Sequence, residues 1–416
     1  MTWVRSGGGS ATGQEPFACD FRIHNIRNYM RDVDMNERGK QLIAPALLLG
    51  FTTCGAAMAA DEPAAPAAAA EPAKPAPGTL AGVLDASGIT ATGYVAASYY
   101  HSNGYSTYHQ FDNKHDSFQL DQAALTIAFQ PKEGFGALVN VAAGEDMKIL
   151  NAAEGSNPNT FDVVQGFVQY AAGPLTVIAG KYVTLAGAEV IAPTGNTNFS
   201  RSLLFFAEPL THTGVRATYA VSDTLSVVAG ANNGWNYSSL STSGSKTAEL
   251  GVAWTPSKAF SLAAQAYVGK DPTFDAQRTL VDAVATYSAT DALTLILSFD
   301  WGKQKQHAAG DPDLDWNGAA FYTNYALSDQ WRVSLRLEYL DDKEGFVSGI
   351  VGTAQKLKEG TVTFGYAPVK SFELRMEARY DKSDKSTFVM KITTDTSINP
   401  FADSQTGVAL QGVYKF

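Results

Sequence analysis

Apolar and polar residues alternate in short runs along the chain from about Gly88 to Phe416. In residues 293–301 one side of the run is apolar and the other is polar, apart from Ile296. Residues 331–339 and 372–380 repeat this alternation. Because successive side chains of a β-strand point to opposite faces, the pattern predicts strands with one apolar and one polar face.

Two details distinguish a membrane barrel from a soluble β-sandwich, whose strands would also alternate. The apolar faces begin or end in Trp, Tyr or Phe, which are enriched at bilayer interfaces. Tight turns such as Ala172-Gly173 alternate with long polar loops, as turns and outer loops do in bacterial barrels. The sequence therefore predicts an all-β fold, a transmembrane antiparallel up-and-down β-barrel over residues 88–416.

Counting the alternating runs predicts about sixteen strands, and an error of one hairpin would give fourteen or eighteen. A barrel of about sixteen strands leaves an aqueous channel, whereas one of about eight fills its interior with side chains. The predicted spans are 89–101, 117–130, 134–143, 161–171, 174–182, 211–221, 224–231, 246–256, 259–269, 278–289, 292–301, 316–327, 330–340, 356–367, 371–380 and 405–416.

The N-terminal part is interpreted as three segments that precede the barrel. Residues 1–34 show no apolar period and are interpreted as an upstream extension outside the fold. Residues 35–59 have a basic start, a short apolar segment and a small-x-small site before Ala60, which is the pattern of a cleaved signal peptide. Residues 60–87 form a Pro/Ala-rich periplasmic linker whose start, residues 61–77, is expected to be extended.

Other interpretations of these segments are a retained membrane anchor, a lipoprotein at Cys54 and a linker that works as a tether. Pro45 and Gly50 interrupt the apolar segment, which is too short to span a bilayer. Residues 51–53 read Phe-Thr-Thr, where a lipoprotein site needs small residues. No folded binding module precedes the linker, so a simple spacer is favoured over a tether.

Cysteine count and charge exclude several classes of protein. Both cysteines, Cys19 and Cys54, lie in the part predicted to be removed, so the mature chain has no disulfide framework and no thiol site. The formal net charge is −10, which does not suit a nucleic-acid partner. No nucleotide loop or zinc spacing is present, and we expect no cofactor and no metal.

The sequence resembles the OmpL-like β-barrel porin family over most of residues 88–416. The resemblance rests on the opening strand GITATGYVAASY at 88–99 and on three segments in the middle of the chain. These segments are GAEVI at 187–191, NFSRSLLF at 198–205 and EPLTHTGVR at 208–216. Membership would imply a pore in the outer membrane of a Gram-negative-type bacterium, without specifying a solute.

The longest insertion between predicted strands, residues 183–210, is expected to fold against the inner wall and constrict the pore. Its apolar run, residues 203–206, would be a poor solvent-facing tip. Charges of both signs would set up a field across the narrowest part of the pore. The alternatives for the loop are an external loop packed on its neighbours and a contact between protomers. The alternative for the charges, which is compatible with a field, is buried Arg–Glu pairs that stiffen the wall. The predicted channel-lining residues are Lys181, Glu189, Arg201, Glu208, His212, Arg216, Arg332, Arg336, Glu338, Glu373, Arg375, Glu377 and Arg379.

Two near-matches to functional motifs do not support an enzyme or a calcium loop. His101 and Ser102 are adjacent in a strand and would point to opposite faces, so they cannot form a catalytic dyad. The acidic run at 311–315 lacks the Gly and the Glu of an EF-hand loop. We therefore expect no enzymatic activity.

The predicted function is an outer-membrane porin for passive diffusion of small hydrophilic solutes. A substrate-specific channel for a sugar or an anion, and a structural or adhesive surface barrel, are the alternatives. The aromatic end of the last strand, with Tyr414 and Phe416, resembles the signal that the barrel-assembly machinery recognises. The expected partners are outer-membrane lipid, that machinery and the solutes, and a homotrimer is left open.

Overall fold

A computed structural model describes residues 80–239, 244–306, 312–349, 352–391 and 400–416. The predicted upstream extension and signal peptide, and most of the linker, lie outside these residues. The last eight residues of the linker form helix α1 (Leu80–Ser87). Within the described residues no helix is both long and apolar enough to cross a membrane.

Sixteen antiparallel strands form one closed barrel, which confirms the predicted fold class and strand number. Each strand pairs with its neighbours in chain order, and the first pairs with the last. The strands are β1 (Thr90–Ser102), β2 (Ser117–Phe129), β3 (Gly134–Ala143), β4 (Phe161–Ala172), β5 (Leu175–Val183), β6 (Thr211–Ser222), β7 (Leu225–Asn232), β8 (Thr247–Ser257), β9 (Phe260–Asp271), β10 (Ala276–Ser288), β11 (Leu293–Gln304), β12 (Leu314–Ala326), β13 (Trp331–Asp342), β14 (Gln355–Val369), β15 (Phe372–Ser383) and β16 (Ser404–Lys415).

The barrel closes where β1 meets β16, with Tyr94 opposite Lys415 and Ser102 opposite Gly407. Gly93 donates its N–H to the carbonyl of Phe416 at 2.8 Å, and Phe416 donates back to Gly93 at 2.9 Å. Closure leaves no unpaired sheet edge, and a strand structure needs this in a medium without water.

The outer face of the barrel is apolar, as the alternation predicted. Leu297, Leu337 and Met376 are exposed on this face, and Met376 is 59% exposed. Their neighbours Ser298, Arg336 and Arg375 are buried on the opposite face. The apolar face is therefore the surface that meets lipid.

Three loops at one end of the barrel carry structure of their own. Loop L1 is residues 103–116, loop L2 is residues 144–160 and loop L3 is residues 184–210. L2 contains helix α2 (Glu145–Ala153). L3 contains a 3-10 turn (Pro193–Gly195) and the one-turn helix α3 (Leu203–Phe206), whose Ser202 hydroxyl accepts a hydrogen bond from the N–H of Phe205 at 2.9 Å. A small ribbon pairs Phe388–Val389 with Phe401–Ala402.

The barrel interior is not polar throughout. Leu203 and Leu204 of L3 share an apolar cluster with Trp316 of β12 and Leu340 of β13. A second cluster joins Phe205 of L3 and loop L1 to helix α2; its members include Phe111, Met147, Leu150 and Ile191. Inward-facing apolar residues are stable here because loops, rather than water, cover them.

A charged residue on the outer face should destabilise the barrel according to its depth in the bilayer. We expect Met376→Arg to lower the free energy of unfolding by about 2–4 kcal/mol, because Met376 lies near the middle of β15 on the exposed apolar face. Chemical unfolding in phospholipid vesicles measures this change. The control is Lys382→Arg near the loop end of the same strand, which should leave stability unchanged. Equal stability of both variants would contradict a lipid-facing position.

Candidate pore constriction

Loop L3 lies inside the barrel, where the carboxylates of two inward-facing glutamates accept hydrogen bonds from its backbone. Glu338 of β13 accepts hydrogen bonds from the N–H groups of Leu203 at 2.8 Å and Leu204 at 3.3 Å. Glu377 of β15 accepts from Phe199 at 2.7 Å and from Ser200 at 2.9 Å. These carboxylates satisfy backbone donors that a loop segment buried in the lumen would otherwise leave unpaired.

Arg336 of β13 links L3 to three carboxylates at once. Its guanidinium contacts Glu189 of L3 at 2.9 Å, Glu338 of the same strand at 3.0 Å and Glu359 of β14 at 3.1 Å. It also donates to the carbonyl of Ser200 at 2.9 Å. The side chain of Arg336 is fully buried, so each of these bonds forms away from bulk water.

Further arginines continue this network along β13 and β15. Arg332 pairs with Glu373 at 2.5 Å, and Arg375 pairs with the same carboxylate at 2.6 Å. Arg332 donates to the carbonyl of Thr197 at 2.6 Å, and Arg375 donates to that of Asn198 at 3.3 Å. The inner face of β13 and β15 is therefore used to hold the backbone of L3.

The last of these arginines, Arg379, joins L3 to β15 near its loop end. It pairs with Asp381 at 2.8 Å and donates to the carbonyl of Arg201 at 2.5 Å. With Glu189, Arg336 and Glu338, these residues form one ionic network between L3 and the wall. The network matches the alternative of Arg–Glu pairs that stiffen the wall.

Arg201 forms hydrogen bonds within L3 itself. Its guanidinium donates to the carbonyls of Val190 at 2.9 Å, Phe199 at 2.8 Å and Ile191 at 2.8 Å. It also lies 5.5 Å from the ring centroid of Phe111 in L1. Burial lowers the pKa of Arg201 from its usual value. Arg201 therefore stabilises a turn of L3, and its charge is not free in the lumen.

The opposite wall carries a second group of predicted residues. Arg216 of β6 pairs with Glu249 of β8 at 2.7 Å and lies 4.1 Å from the ring centroid of Tyr182. His212 is buried, its Nδ1 lies 3.1 Å from the carbonyl of Gly234, and its ring stacks on Tyr267 at 4.8 Å. The hydroxyl of Tyr267 accepts the N–H of Leu185 at 3.1 Å, so this wall also contacts L3.

Lys181 and Glu208 lie apart from these networks. Lys181 pairs with Glu154, which follows helix α2, at 2.7 Å and with Asp162 at 2.9 Å, near the loop end of β5. Glu208 lies at the end of L3, next to Asp282 and Asp300. Burial, followed by the charges of these two aspartates, raises the pKa of Glu208 well above its usual value.

Loop L1 contributes a buried histidine that the sequence analysis missed. Nδ1 of His109 lies 2.5 Å from a carboxylate oxygen of Asp112, and Nε2 lies 3.0 Å from one of Asp381 on β15. All three residues are buried. The only sequence signal was a His and an Asp three residues apart in a loop, which is too common to single out. His109 ties L1 to the same strand that holds L3.

In the half of the lumen away from the loops, small uncharged residues line one wall. Ser226, Ala253, Ala263 and Thr286 lie on the inward face of β7 to β10 and are half-buried. Their side chains are small and uncharged. Solvent therefore reaches this part of the inner wall, whereas the inward charges of β13 and β15 are fully covered.

A closed sixteen-stranded barrel with an apolar outer face and an inward loop is the architecture of an outer-membrane porin. Residues 88–416 match the family model described as beta-barrel porin-2, OmpL-like. The chain therefore belongs to this family, and it forms a passive diffusion channel in the outer membrane. No curated protein matches the chain.

Solved structures with the same fold include OmpT, an outer membrane protein of Vibrio cholerae folded in vitro. It is 13% identical with a TM-score of 0.54, covering 79% of this chain and 97% of that chain. The anion-selective porin from Comamonas acidovorans is 12% identical with a TM-score of 0.53, covering 79% and 99%. At these identities the likeness shows the fold alone.

Removing Arg336 should leave buried carboxylates without their cation. We expect Arg336→Ala to lower the free energy of unfolding by about 3–5 kcal/mol, the usual cost of breaking a buried ion pair. The matched control is Lys148→Ala, which breaks the partly exposed pair with Glu145. That change should cost less than about 1 kcal/mol. Denaturant unfolding of the purified barrel measures both, and equal losses would contradict the central role of Arg336.

The contribution of His109 to stability should depend on pH. Burial and the charge of Arg379 lower its pKa, but Asp112 and Asp381 outweigh them, so the folded pKa lies above the ordinary value. The stabilisation is therefore complete below the unfolded pKa of about 6.5 and is lost as pH rises through the folded pKa.

We expect the melting temperature of wild type to exceed that of His109→Asn by more at pH 6 than at pH 9. The exposed His101, changed to Asn, serves as the control and should show a small difference at both values. A His109→Asn deficit that grows with pH would contradict the sign of this shift.

Proposed function

We propose that small hydrophilic solutes cross the barrel between L3 and the inner wall, and that L3 sets the width of this passage. The observation that carries the proposal is the binding of L3 backbone groups by the inward carboxylates Glu338 and Glu377. A loop held at the middle of a sixteen-stranded barrel reduces the cross-section that the strands alone would leave. The predicted site residues thereby act mainly by positioning L3.

Selectivity between cations and anions is expected to be weak. The inward arginines of β13 and β15 are paired with carboxylates, and Arg216 is paired with Glu249. Charge that is neutralised by a partner contributes little to the field that a passing ion meets. The half-buried residues Ser226, Ala253, Ala263 and Thr286 would provide an uncharged approach to L3.

Catalysis is not part of the proposed function. His101 is exposed and Ser102 is buried at neighbouring positions of β1, which supports opposite orientations of the two side chains. A hydrolytic dyad needs these groups within hydrogen-bond reach of each other.

Export and assembly follow the route expected for such a barrel. We propose cleavage of the signal peptide at residues 35–59, a periplasmic linker, and recognition of the last strand by the barrel-assembly machinery. Tyr414 and Phe416 are 48% and 64% exposed in the folded barrel, where they would face lipid after assembly. A homotrimer is a further expectation; one similar structure is described as a trimer form of Vibrio cholerae OmpT, 9% identical with a TM-score of 0.51.

Shortening L3 should enlarge the channel. We expect a variant in which a short Gly/Ser linker replaces residues 188–206 to give single-channel conductance steps at least twofold larger than wild type, because the segment that crosses the lumen is gone. Planar-bilayer recording measures the step size. A heat-dependent shift in gel mobility confirms that each protein is folded before recording.

The control variant is Lys303→Gln, which changes a partly exposed charge paired with Asp313 at the loop end of β11. It should keep the wild-type step. Equal steps for wild type and the L3 variant would contradict a constriction by L3. Folded wild type that opens no steps would contradict the channel itself, and saturation by one sugar or anion would replace the general porin with a specific channel.

A further inference from the structure

Three acidic residues meet inside the barrel at the end of L3. Asp282 of β10 and Asp300 of β11 lie directly opposite each other in the strand register. Glu208, the third member, lies three residues before β6. One carboxylate oxygen from each residue lies within 4.8 Å of the other two. We call these residues the acidic triad.

The acidic triad is almost completely buried. Glu208 is 6% exposed, and Asp282 and Asp300 are 0% exposed. Burial of like charges at this separation is strongly unfavourable unless an opposite charge or protons neutralise them. The wall of β13 and β15 shows the usual solution, since each inward carboxylate there has an arginine or backbone N–H groups.

The acidic triad has no cationic partner in the described part of the chain, although the backbone N–H of Gly187 lies near the carboxylate of Asp282. Both carboxylate oxygens of Asp282, both of Asp300 and Oε2 of Glu208 have no hydrogen-bond partner there. No lysine, arginine or histidine among the described residues forms an ion pair with any of the three. Five buried, unpartnered oxygens that converge on one place indicate a missing positive group.

We propose that Glu208, Asp282 and Asp300 bind one divalent cation, Ca²⁺, inside the barrel. Ca²⁺ coordinates oxygen ligands at about 2.3–2.6 Å, so two ligands on opposite sides of the ion lie up to about 5 Å apart. The triad oxygens lie within 4.8 Å of one another, which meets this requirement. A donor set of carboxylates alone, without His or Cys, selects a hard cation and not zinc.

The ligand number favours Ca²⁺ over Mg²⁺. Three carboxylates supply three to six oxygens, and Ca²⁺ takes about six to eight in irregular geometry. The hydroxyl of Ser298 would add another oxygen ligand. Ser298 is buried two residues before Asp300 on the same face, and its hydroxyl has no hydrogen-bond partner in the described part of the chain. Mg²⁺ needs near-ideal octahedral geometry, which a triad on two strands and a loop does not provide by itself.

The backbone of L3 closes the site on one side. Gly187 has φ +82°, and a Cβ added there would lie 2.1 Å from Oε2 of Glu208. Only glycine lets the backbone adopt this conformation and approach the carboxylate so closely. The cation would therefore join L3 to the wall of β10 and β11, in addition to β13, where Arg336 and Glu338 already hold the loop.

The partly exposed acidic residues at 313 and 315 provide a contrast. Asp313 and Asp315 contact Lys303 at 2.9 Å and 3.5 Å at the loop end of the barrel. Lys303 already neutralises part of their charge, whereas the charge of the triad has no cationic partner. Asp313→Asn is therefore a matched control for cation binding at the protein surface.

The test uses the purified full-length barrel in detergent, first treated with EDTA and then titrated with CaCl₂ alone. We expect one Ca²⁺ per chain by calorimetry and a rise in melting temperature with Ca²⁺. Asp300→Asn should weaken binding at least tenfold and abolish most of the rise. It should also melt higher than wild type in EDTA, because removing one negative charge relieves repulsion within the triad. Asp313→Asn should behave as wild type.

Several outcomes would overturn the proposal. One is a wild-type melting temperature that Ca²⁺ does not change. Others are an Asp300→Asn protein that keeps the full response, or saturation by MgCl₂ and not by CaCl₂. If Asp300→Asn does not fold, Glu208→Gln in the loop provides the same comparison without altering a strand. These readouts do not depend on conductance, so the site and the channel can fail independently.

Discussion

The structure depends on closure of the strand ladder between β1 and β16. In a bilayer each unpaired backbone N–H or C=O costs several kcal/mol, so a sheet is stable only when its first and last strands meet. The exchange of hydrogen bonds between Gly93 and Phe416 completes that closure at one end. Closure at sixteen strands also leaves an interior that the side chains of the strands alone do not fill. The loops occupy part of this interior.

Two kinds of contact hold L3 in that interior. Leu203 and Leu204 bury apolar surface against Trp316 and Leu340, whereas Arg336 bridges the loop to the wall through carboxylates. The apolar contacts favour any compact arrangement, but the ionic contacts need particular atoms in particular places. The ionic network therefore selects one position of L3 among several compact ones.

The strands could be predicted from the sequence because a lipid-facing surface imposes a strict period of two, as Arg375 and Met376 illustrate on β15. The inward fold of L3 was also predictable, since residues 203–206 are too apolar for a solvent-facing loop. Trp316 and Leu340 were not recognised as interior residues. An apolar residue on the inward face can be predicted to be buried only when the loop that covers it is known. The positions of L1 and helix α2, and the meeting of Glu208 with Asp282 and Asp300, depend on contacts between distant segments, which periodicity does not encode.

Chemical labelling of a cysteine at position 200 tests most directly whether L3 lies inside the barrel. Ser200→Cys would be prepared with Cys19 and Cys54 changed to serine, so that one thiol reports on the loop. Ser200 is 2% exposed, and a maleimide should label Cys at this position only after unfolding, whereas Ser156→Cys in the exposed part of L2 should react at once. Rapid labelling at position 200 in the folded barrel would contradict the account.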